Sequence, residues 1–318
     1  MDPILTVCLI TYNHVNYIRQ AIDGVLMQKV NFSWNLVIAD DFSTDGTREI
    51  LLEYKKKYPD FIHLILQGKN VGARQNWIDL LSYPCSKYIA YFEGDDYWTD
   101  TYKLQKQVDF LEKNPEYSLS FCRFQVLNEK TGELENDKNE LLFTNETDRV
   151  EFDFERFYLG WHVGTQTLLF KRANLNLQRF SMYKFARDIH LFTELLLNGK
   201  GTCLNFFGAV YRVHDGGIYN GINEFKRAQM GYLCYKEIFK SNKNIYYLKC
   251  KFRNFAQNYI LELKNNNQYL EAILLEVKIL PYQSKRNILK LLKQIIYNFL
   301  KAIKIKNKKL SSEIIRNK

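Results

Sequence analysis

Short apolar runs alternate with helix-period patterns along the first third of the chain. Four runs rich in branched and aromatic residues predict buried strands: ILTVCLI at 4–10, NLVIA at 35–39, FIHLIL at 61–66 and KYIAYF at 87–92. Apolar residues at helical spacing between these runs predict helices at about 17–26, 48–58 and 73–81. Strands and helices in alternation predict a parallel sheet with helices on both faces.

A polar cluster follows three of these strands: TYNH at 11–14, DDFSTD at 40–45 and EGDD at 93–96. In parallel α/β sheets, ligands bind beyond the carboxyl ends of the strands. The EGDD cluster places three carboxylates directly after an apolar strand. Charged groups are rarely left in such surroundings without a partner, because desolvating an ion costs several kcal/mol. A positively charged partner is therefore expected there.

The pattern changes in the second part of the chain. A helix at about 103–114 and a strand at 118–127 precede EKTGELENDKNE, which is typical of a solvated hairpin loop. Strands are predicted within 160–170 and 206–217, and a helix within 187–199 has Asp188 at its N-cap position. After about residue 225, helices rich in Tyr, Lys and Asn follow. We therefore predict an α/β domain at 1–224 and a helical basic region at 225–318.

Composition and charge exclude several classes of function. The content of 46% hydrophobic and 15% aromatic residues fits a folded globular protein. The net charge of +10 lies entirely in residues 285–318, which hold eleven Lys or Arg and one acidic residue, whereas residues 1–284 hold 34 of each sign. Such a balanced body gives no reason to expect a nucleic-acid partner. The six cysteines form no CxxC pair, so neither a zinc ribbon nor a dithiol redox motif is indicated.

Each polar cluster also has a structural explanation when taken alone. TYN can be a turn into the first helix, and Asp40 and Asp41 can cap the helix that follows them. Asp188 can be a plain N-cap, and His214 can be a hydrogen-bonded residue at the end of a strand. EGDD is harder to explain by solvation, because aromatic residues follow it at once and indicate a packed rim.

The order and spacing of the clusters is more specific than any single one. LITYNH, NLVIADDFSTDGT, KNVGARQN, YFEGDDYW, ARDIHLF and YRVHDGG resemble the family-2 glycosyltransferases over about residues 4–217. The resemblance implies the A-type glycosyltransferase fold, an α/β, Rossmann-like and mostly parallel sheet flanked by helices, here with a helical C-terminal extension. It also implies a nucleotide-binding part at 1–100 and an acceptor-binding part at 101–224.

The resemblance further implies roles for individual residues. EGD would fill the place of the family's DxD motif, with Glu93 where the usual first Asp stands. Asp95 and His214 would be ligands of Mn²⁺ or Mg²⁺, and Asp188 would be the general base of an inverting transfer. The other residues implied to hold the nucleotide sugar are Thr11, Tyr12, Asn13, Asp41, Asn70, Gly72, Asn76, Glu93, Gly94, Asp96 and Arg212. For Arg212, pairing with a surface acid is equally open, and His162 and Gln166 are expected to face the acceptor cleft or to pack around a tryptophan.

The basic C-terminal region has a helical pattern of its own. Apolar residues recur at helical spacing from 288 to 303, with lysines on another face. This pattern predicts either a helix that lies on an anionic membrane surface or a helix docked on the rest of the protein. The N-terminus lacks the features of a signal peptide, and no run of about 18 apolar residues occurs. We expect a cytoplasmic protein, peripheral on the inner face of the membrane.

Together these features predict a metal-dependent, inverting transfer of a sugar from a nucleotide sugar, expected to be a UDP-sugar. The acceptor would be a glycan or a lipid-linked saccharide in bacterial surface polysaccharide synthesis. Sugar nucleotidyltransferases share the sheet but typically have a glycine-rich basic loop after the first strand, where TYNHVNY has neither glycine nor lysine. A non-catalytic protein that binds membranes or polyanions on a degenerate transferase fold is the other alternative.

Overall fold

The computed structural model describes residues 2–138, 140–143, 147–160, 163–216, 222–282, 288, 292–293 and 295–301. The chain forms two compact units, Met1–Asn220 and Gly221–Lys318. Within the described ranges, no helix is both long enough and apolar enough to cross a bilayer.

The first unit is built on one ten-stranded sheet with the order β3-β2-β1-β4-β9-β6-β10-β5, in which β7 pairs with β6 and β8 pairs with β10. Its strands are β1 (Leu5–Thr11), β2 (Trp34–Asp40), β3 (Ile62–Leu66), β4 (Tyr88–Glu93), β5 (Tyr97–Trp98), β6 (Tyr117–Asn128), β7 (Leu134–Asn136), β8 (Arg149–Phe152), β9 (Leu169–Lys171) and β10 (Lys200–Val213). The longest ladders, β1 with β2, β1 with β4, and β6 with β10, are parallel. The predicted α/β sheet is confirmed.

Helices lie between the strands of this sheet, and all but the two short ones at 154–160 and 177–181 were predicted from the sequence. They are α1 (Ile18–Leu26), α2 (Thr47–Lys57), α3 (Ala73–Ser82), α4 (Lys103–Lys113), α5 (Phe154–Gly160), α6 (Leu177–Ser181) and α7 (Asp188–Leu196). The apolar face of α1 is buried, and a Cβ at Gly24 would lie 3.0 Å from the backbone nitrogen of Trp98. Glycine at this position therefore allows α1 to approach β5 closely.

The strand register brings the polar clusters to one edge of the sheet. Thr11 at the end of β1 lies opposite Asp40 of β2, and Ile10 lies opposite Glu93 of β4. Because these strands are parallel, the segments that follow them leave the sheet on the same side. The short β5 then pairs antiparallel with β10, which brings the end of β10 next to the EGDD segment.

Two predicted helix starts differ from the structure. Neither Asp40 nor Asp41 caps α2, which begins at Thr47 and has its Thr47 N–H bonded to Asp45 Oδ1 at 3.0 Å. Asp188 is not an N-cap, because α7 begins at Asp188 itself and the preceding Arg187 occupies the cap position. All three aspartates therefore lose the helix-capping explanation that the sequence left open for them.

The second unit contains α8 (Glu224–Ser241), α9 (Tyr246–Asn265) and α10 (Tyr269–Ile279). Stacked aromatic rings join α8 to α9, with centroids 4.1 Å apart for Tyr235 and Phe255. A further helical segment, described at 292–293 and 295–301 and called the tail segment below, contacts α10 through Asn298, which donates to both carboxylate oxygens of Glu276 at 3.0 Å. The described part of this region is helical, as predicted.

Lys103, the first residue of α4, is a buried lysine of the first unit. The Lys103 ammonium donates to Gln107 Oε1 at 2.8 Å and lies 4.1 Å from the ring centroid of Trp98. Its side chain is fully buried, and burial lowers its pKa to about 8. Since one amide oxygen and one aromatic face replace its hydration shell, the charged form of Lys103 is disfavoured in the folded protein.

Replacing Lys103 by methionine is expected to change how stability depends on pH. The pKa is lower in the folded state than in the unfolded state, so the unfolded chain binds more protons between these two values and stability rises with pH. We expect the parent to gain about 2 kcal/mol more than Lys103→Met between pH 7.5 and 10, measured by urea unfolding. Lys113→Met, at an exposed position of the same helix, is the matched control. Equal pH profiles for the parent and Lys103→Met would contradict this assignment.

Candidate functional site

The centre of the site is the carboxylate of Asp95, which two imidazoles approach. His214 Nε2 lies 3.2 Å from Asp95 Oδ2, and His14 Nε2 lies 3.8 Å from the same oxygen. The other oxygen, Oδ1, is shielded from solvent and has no hydrogen-bond partner in the described part of the protein. A buried, unpartnered carboxylate oxygen is costly unless a cation or a donor satisfies it.

The histidines determine the ionisation of this carboxyl group. Burial by itself would raise the pKa of Asp95, but the hydrogen bond with His214 and the nearby His14 outweigh it, so the pKa lies below its usual value. Burial lowers the pKa of His14, although the charge of Asp95 opposes this effect. Asp95 is therefore held as an anion.

His14 is fixed by the segments around it. Its Nδ1 lies 3.2 Å from Thr11 Oγ1, and its backbone N–H donates to Thr47 Oγ1 at 2.9 Å. His14 was not among the site residues predicted from the sequence, although it stands in the motif LITYNH. The signal was a histidine placed beyond the end of β1, but only the fold shows that it faces the EGDD segment.

The EGDD segment is tied to β10 through Asp96 and Arg212. Asp96 is buried, and its Oδ1 accepts the backbone N–H of Arg212 at 2.9 Å. In turn, Arg212 Nη1 donates to the backbone oxygen of Asp95 at 2.7 Å. Burial and the charge of Asp95 raise the pKa of Asp96 well above its usual value. These bonds position Asp95 and His214 relative to each other.

The guanidinium of Arg212 is engaged on all three nitrogens. Besides the oxygen of Asp95, it bonds Glu129 Oε1 at 2.7 Å through Nε, and Gln20 through Nη2. Its carbon also lies 4.4 Å from the ring centroid of Tyr97. The pairing with an acid, one of the two alternatives that the sequence left open for Arg212, is present in the structure, where the acid is Glu129.

Glu93 and Asp188 are within electrostatic reach of each other. Burial raises the pKa of Glu93 well above its usual value, and the charges of Asp188 and then Asp95 add to this effect. Burial likewise raises the pKa of Asp188, against a hydrogen bond from Thr165 Oγ1 to Asp188 Oδ2 of 2.9 Å. The charge of Arg187 acts to lower the pKa of both carboxyl groups. Arg187 was not among the site residues predicted from the sequence. Asp188 is thus brought towards the EGDD segment from a distant part of the chain.

Gly94 is packed between the first strand and the first helix. A Cβ on this residue would lie 3.0 Å from Thr11 Oγ1 and 3.0 Å from Ile18 Cδ1. Thr11 itself is buried. Gly94 and Thr11, both predicted site residues, therefore pack together where β1 and β4 end.

The segment after β1 fixes the loop after β2. Asn13 has a positive φ of 56°, a conformation that asparagine tolerates better than most residues. Its Oδ1 accepts the Thr44 N–H at 2.9 Å, and its own N–H donates to Ser43 Oγ at 2.9 Å. Tyr12, between buried Thr11 and exposed Asn13, is 45% exposed. Much of the Tyr12 side chain is therefore accessible to solvent beyond the end of β1.

Asp41 and the residues around α3 form the far side of the site. Asp41 Oδ1 accepts the Val71 N–H at 2.7 Å, and Asn70 donates to the backbone oxygen of Asp41 at 3.3 Å. Burial raises the pKa of Asp41, against the hydrogen bonds from the Val71 and Gly72 backbone. Gly72 precedes α3 with a φ of 84°. Asp41 is thus buried beside the loop that the sequence predicted to shape a nucleotide pocket.

Asn76 and Gln166 are both buried near these segments. The Asn76 amide donates to Ala39 O at 3.0 Å and accepts from Gln67 at 3.3 Å, so it holds α3 against β2. The backbone oxygen of Gln166 accepts the Trp98 indole N–H at 2.8 Å. His162, the other residue expected at the acceptor cleft, lies outside the described residues.

The chain is similar to known proteins in sequence and in fold. The model of the family described as "Glycosyl transferase family 2" matches residues 6–185. A protein of Mycobacterium tuberculosis (strain ATCC 25618 / H37Rv) without an assigned function is 42% identical over 216 residues, which are 68% of this chain and 60% of that protein. The chain thus matches about 60% of the length of this mycobacterial relative.

Two further proteins extend the comparison. TuaG of Bacillus subtilis (strain 168), named as a teichuronic acid biosynthesis glycosyltransferase, is 26% identical over 259 residues, which are 80% of this chain and 96% of TuaG. The crystal structure of S. aureus TarS 1–349 in complex with UDP-GlcNAc has a TM-score of 0.66 at 16% identity and covers 96% of this chain and 89% of that one. This structural match confirms the expected A-type glycosyltransferase fold. Since the family model also matches more than half of the residues, this chain belongs to glycosyl transferase family 2.

Proposed function

We propose that the protein is a metal-dependent, inverting glycosyltransferase that uses a UDP-sugar. The observation that carries this proposal is the Asp95 carboxylate at the carboxyl edge of parallel strands, where Oδ2 faces two imidazoles and Oδ1 is buried without a hydrogen-bond partner among the described residues. Membership of glycosyl transferase family 2 supports it. In this proposal residues 1–100 bind the nucleotide and residues 101–224 bind the acceptor.

The residues present fit a divalent cation bound together with a diphosphate. Asp95 and His214 are the protein ligands we assign, and a carboxylate with an imidazole suits Mn²⁺ or Mg²⁺. The described residues contain no group of three or more His, Cys, Asp or Glu side chains that could hold a metal ion. The remaining ligands would therefore be phosphate oxygens and water. When bound, such a cation supplies charge that stabilises a departing diphosphate.

His14 is a positioning residue in this proposal. Its imidazole approaches the same oxygen of Asp95 as His214 does, whereas the buried Oδ1 has no hydrogen-bond partner in the part of the chain that the structure describes. The hydrogen bonds of Asp96 and Arg212 hold the backbone at Asp95 in place. The two histidines in turn hold the Asp95 side chain. The carboxylate is thus preorganised for a cation.

The donor would lie along the edge formed by β1, β2 and α3. Asp41 is assigned to the base, and the exposed ring of Tyr12 lies where a base or ribose can pack against it. Asn13, Asn70 and Gly72 shape the loops on either side. The UDP-GlcNAc bound to TarS, a protein of the same fold, supports a UDP-sugar as donor.

Asp188 is assigned as the general base. A carboxylate with a raised pKa accepts a proton more readily, and burial raises the pKa of Asp188. The Thr165 hydroxyl holds one of its oxygens, Oδ2, and so orients the group. In an inverting transfer, this carboxylate takes the proton of the acceptor hydroxyl while that oxygen attacks the anomeric carbon. Glu93 and Asp96 complete the donor side.

The acceptor in this proposal is a glycan or a lipid-linked saccharide of the bacterial surface. TuaG, whose name refers to teichuronic acid biosynthesis, supports the surface polysaccharide assignment. The excess of basic residues in 285–318 supports a peripheral position on the inner face of the cytoplasmic membrane, where lipid-linked acceptors are anchored.

Asp95→Asn is expected to abolish metal-dependent nucleotide binding. In the parent, UDP with Mn²⁺ should raise the thermal midpoint by several degrees, because a ligand that binds only the folded state stabilises it. In Asp95→Asn the amide keeps the shape but loses the charge, so the shift with Mn²⁺ should fall to the value seen with EDTA. The measurement is differential scanning fluorimetry.

Asp60→Asn, at an exposed position of the same unit, is the control for charge removal and should behave as the parent. If UDP with Mn²⁺ shifts neither the parent nor Asp60→Asn, and GDP and dTDP do not either, the protein is a non-catalytic member of the fold. A shift that Asp95→Asn retains would remove Asp95 from the cation site.

Asp188→Asn is expected to stop turnover and leave donor binding intact. Loss of a general base typically lowers kcat by about 10²- to 10⁴-fold, whereas the UDP thermal shift should stay at the parental value. Release of UDP from UDP-GlcNAc and other UDP-sugars measures the turnover. Thr165→Val, which removes only the orienting hydroxyl, should give a smaller loss. An Asp188→Asn variant with more than a tenth of the parental kcat would contradict the assignment.

A further inference from the structure

Helix α10 exposes a row of apolar side chains that its own unit does not cover. Leu270, Leu274 and Val277 are 61%, 53% and 49% exposed. They recur at helical spacing and so lie on one stripe of the helix. The residues that α10 buries, such as Tyr269, Ala272, Ile273 and Glu276, occupy a different face. The packing of the second unit therefore does not account for this stripe.

The tail segment carries a similar stripe. Leu292, Ile296, Phe299 and Leu300 are 41%, 61%, 55% and 57% exposed, whereas Asn298 is buried. These apolar residues also recur at helical spacing. Two helices of the same unit thus each present an exposed apolar row.

The contacts between the two helices show that the rows lie on the same side. Asn298 bonds Glu276, and Lys301 lies 5.0 Å from the ring centroid of Tyr269, so the helices run in opposite directions. Leu270, Leu274 and Val277 of α10 lie at positions −6, −2 and +1 relative to Glu276. Leu292, Ile296 and Phe299 of the tail segment lie at the same three positions relative to Asn298. Equal offsets mean equal rotation from the contact line. In an antiparallel pair, equal rotations point to the same side.

We propose that this double row, called the α10–tail face, seats against an anionic bilayer surface. The face is apolar, and exposed Lys278 and Lys293 stand close to it in sequence, with one exposed acid, Glu271. Residues 285–318, which include half of the face, carry a net charge of +10. This combination matches an interfacial surface that buries apolar side chains below the headgroups and attracts anionic lipid.

Charge favours a bilayer over a second copy of this chain. Pairing two such faces would bring two segments of net charge +10 together, and like charges at close range oppose association. An anionic surface is attractive to the same residues. The inference extends the proposed membrane contact from the tail segment to α10, and it does not depend on the proposed transferase chemistry.

The test is co-sedimentation of the full chain with vesicles, in the absence of nucleotide and metal. We expect binding to vesicles of phosphatidylcholine with phosphatidylglycerol, weak binding to phosphatidylcholine alone, and a loss of binding in high salt. The double variant Leu270→Ser, Leu274→Ser should partition about tenfold more weakly into the anionic vesicles. Leu52→Ser, at a position of α2 that is 50% exposed, is the matched control and should bind as the parent.

Each other outcome would overturn the proposal. If the double variant binds as tightly as the parent, α10 is not part of the membrane surface. If the parent is oligomeric without lipid by light scattering and the double variant is monomeric, the face covers a second copy instead. The thermal midpoint of each variant checks folding, and the single variant Leu270→Ser, with an expected intermediate effect, serves if the double variant does not fold. None of these outcomes bears on UDP binding, so failure here leaves the transferase proposal standing.

Discussion

The site depends on how four carboxylates are kept at one partly buried edge of a sheet. Each carboxylate loses hydration there and repels the others, and the protein offsets these costs differently for each one. Asp95 faces two imidazoles, Asp96 accepts a hydrogen bond from a backbone N–H of β10, and Asp188 accepts a hydrogen bond from the Thr165 hydroxyl. Glu93 has the least compensation, and its pKa is raised well above the usual value. Keeping these carboxylates together therefore costs electrostatic free energy, and a bound cation would lower this cost.

The same edge explains why Arg212 is buried within the protein. Its guanidinium neutralises Glu129, and its backbone and side chain bond both aspartates of the EGDD segment. One residue thus fixes the end of β10, the EGDD loop and the hairpin after β6 as a single framework. His214 lies two residues beyond Arg212, so the position of its imidazole follows from this framework. Arg212 contributes to the site by positioning other groups.

The fold was predictable because its signals are local. The apolar runs of β1, β2 and β4 are largely buried on both faces, and turn residues mark the ends of these strands, so the order of these strands and of the helices between them follows from periodicity. The clusters at the strand ends were predictable for the same reason. Helix starts were less predictable, since Gly46 is the N-cap residue of α2 and Asp45, rather than Asp40 or Asp41, accepts the Thr47 N–H, although the three aspartates are equally good candidates by residue type.

The sequence by itself determined the fold class, the three polar clusters and their position at the carboxyl ends of strands. Only the tertiary structure decided which side chains interact: that His14 shares an oxygen of Asp95 with His214, that Arg212 pairs with Glu129, and that the charges of Asp188 and Arg187 act on the pKa of Glu93. Most of these partners are more than eighty residues apart in the chain. Periodicity reports on the face of an element that is buried, whereas contacts between distant loops depend on strand order and register, which form only when the sheet assembles.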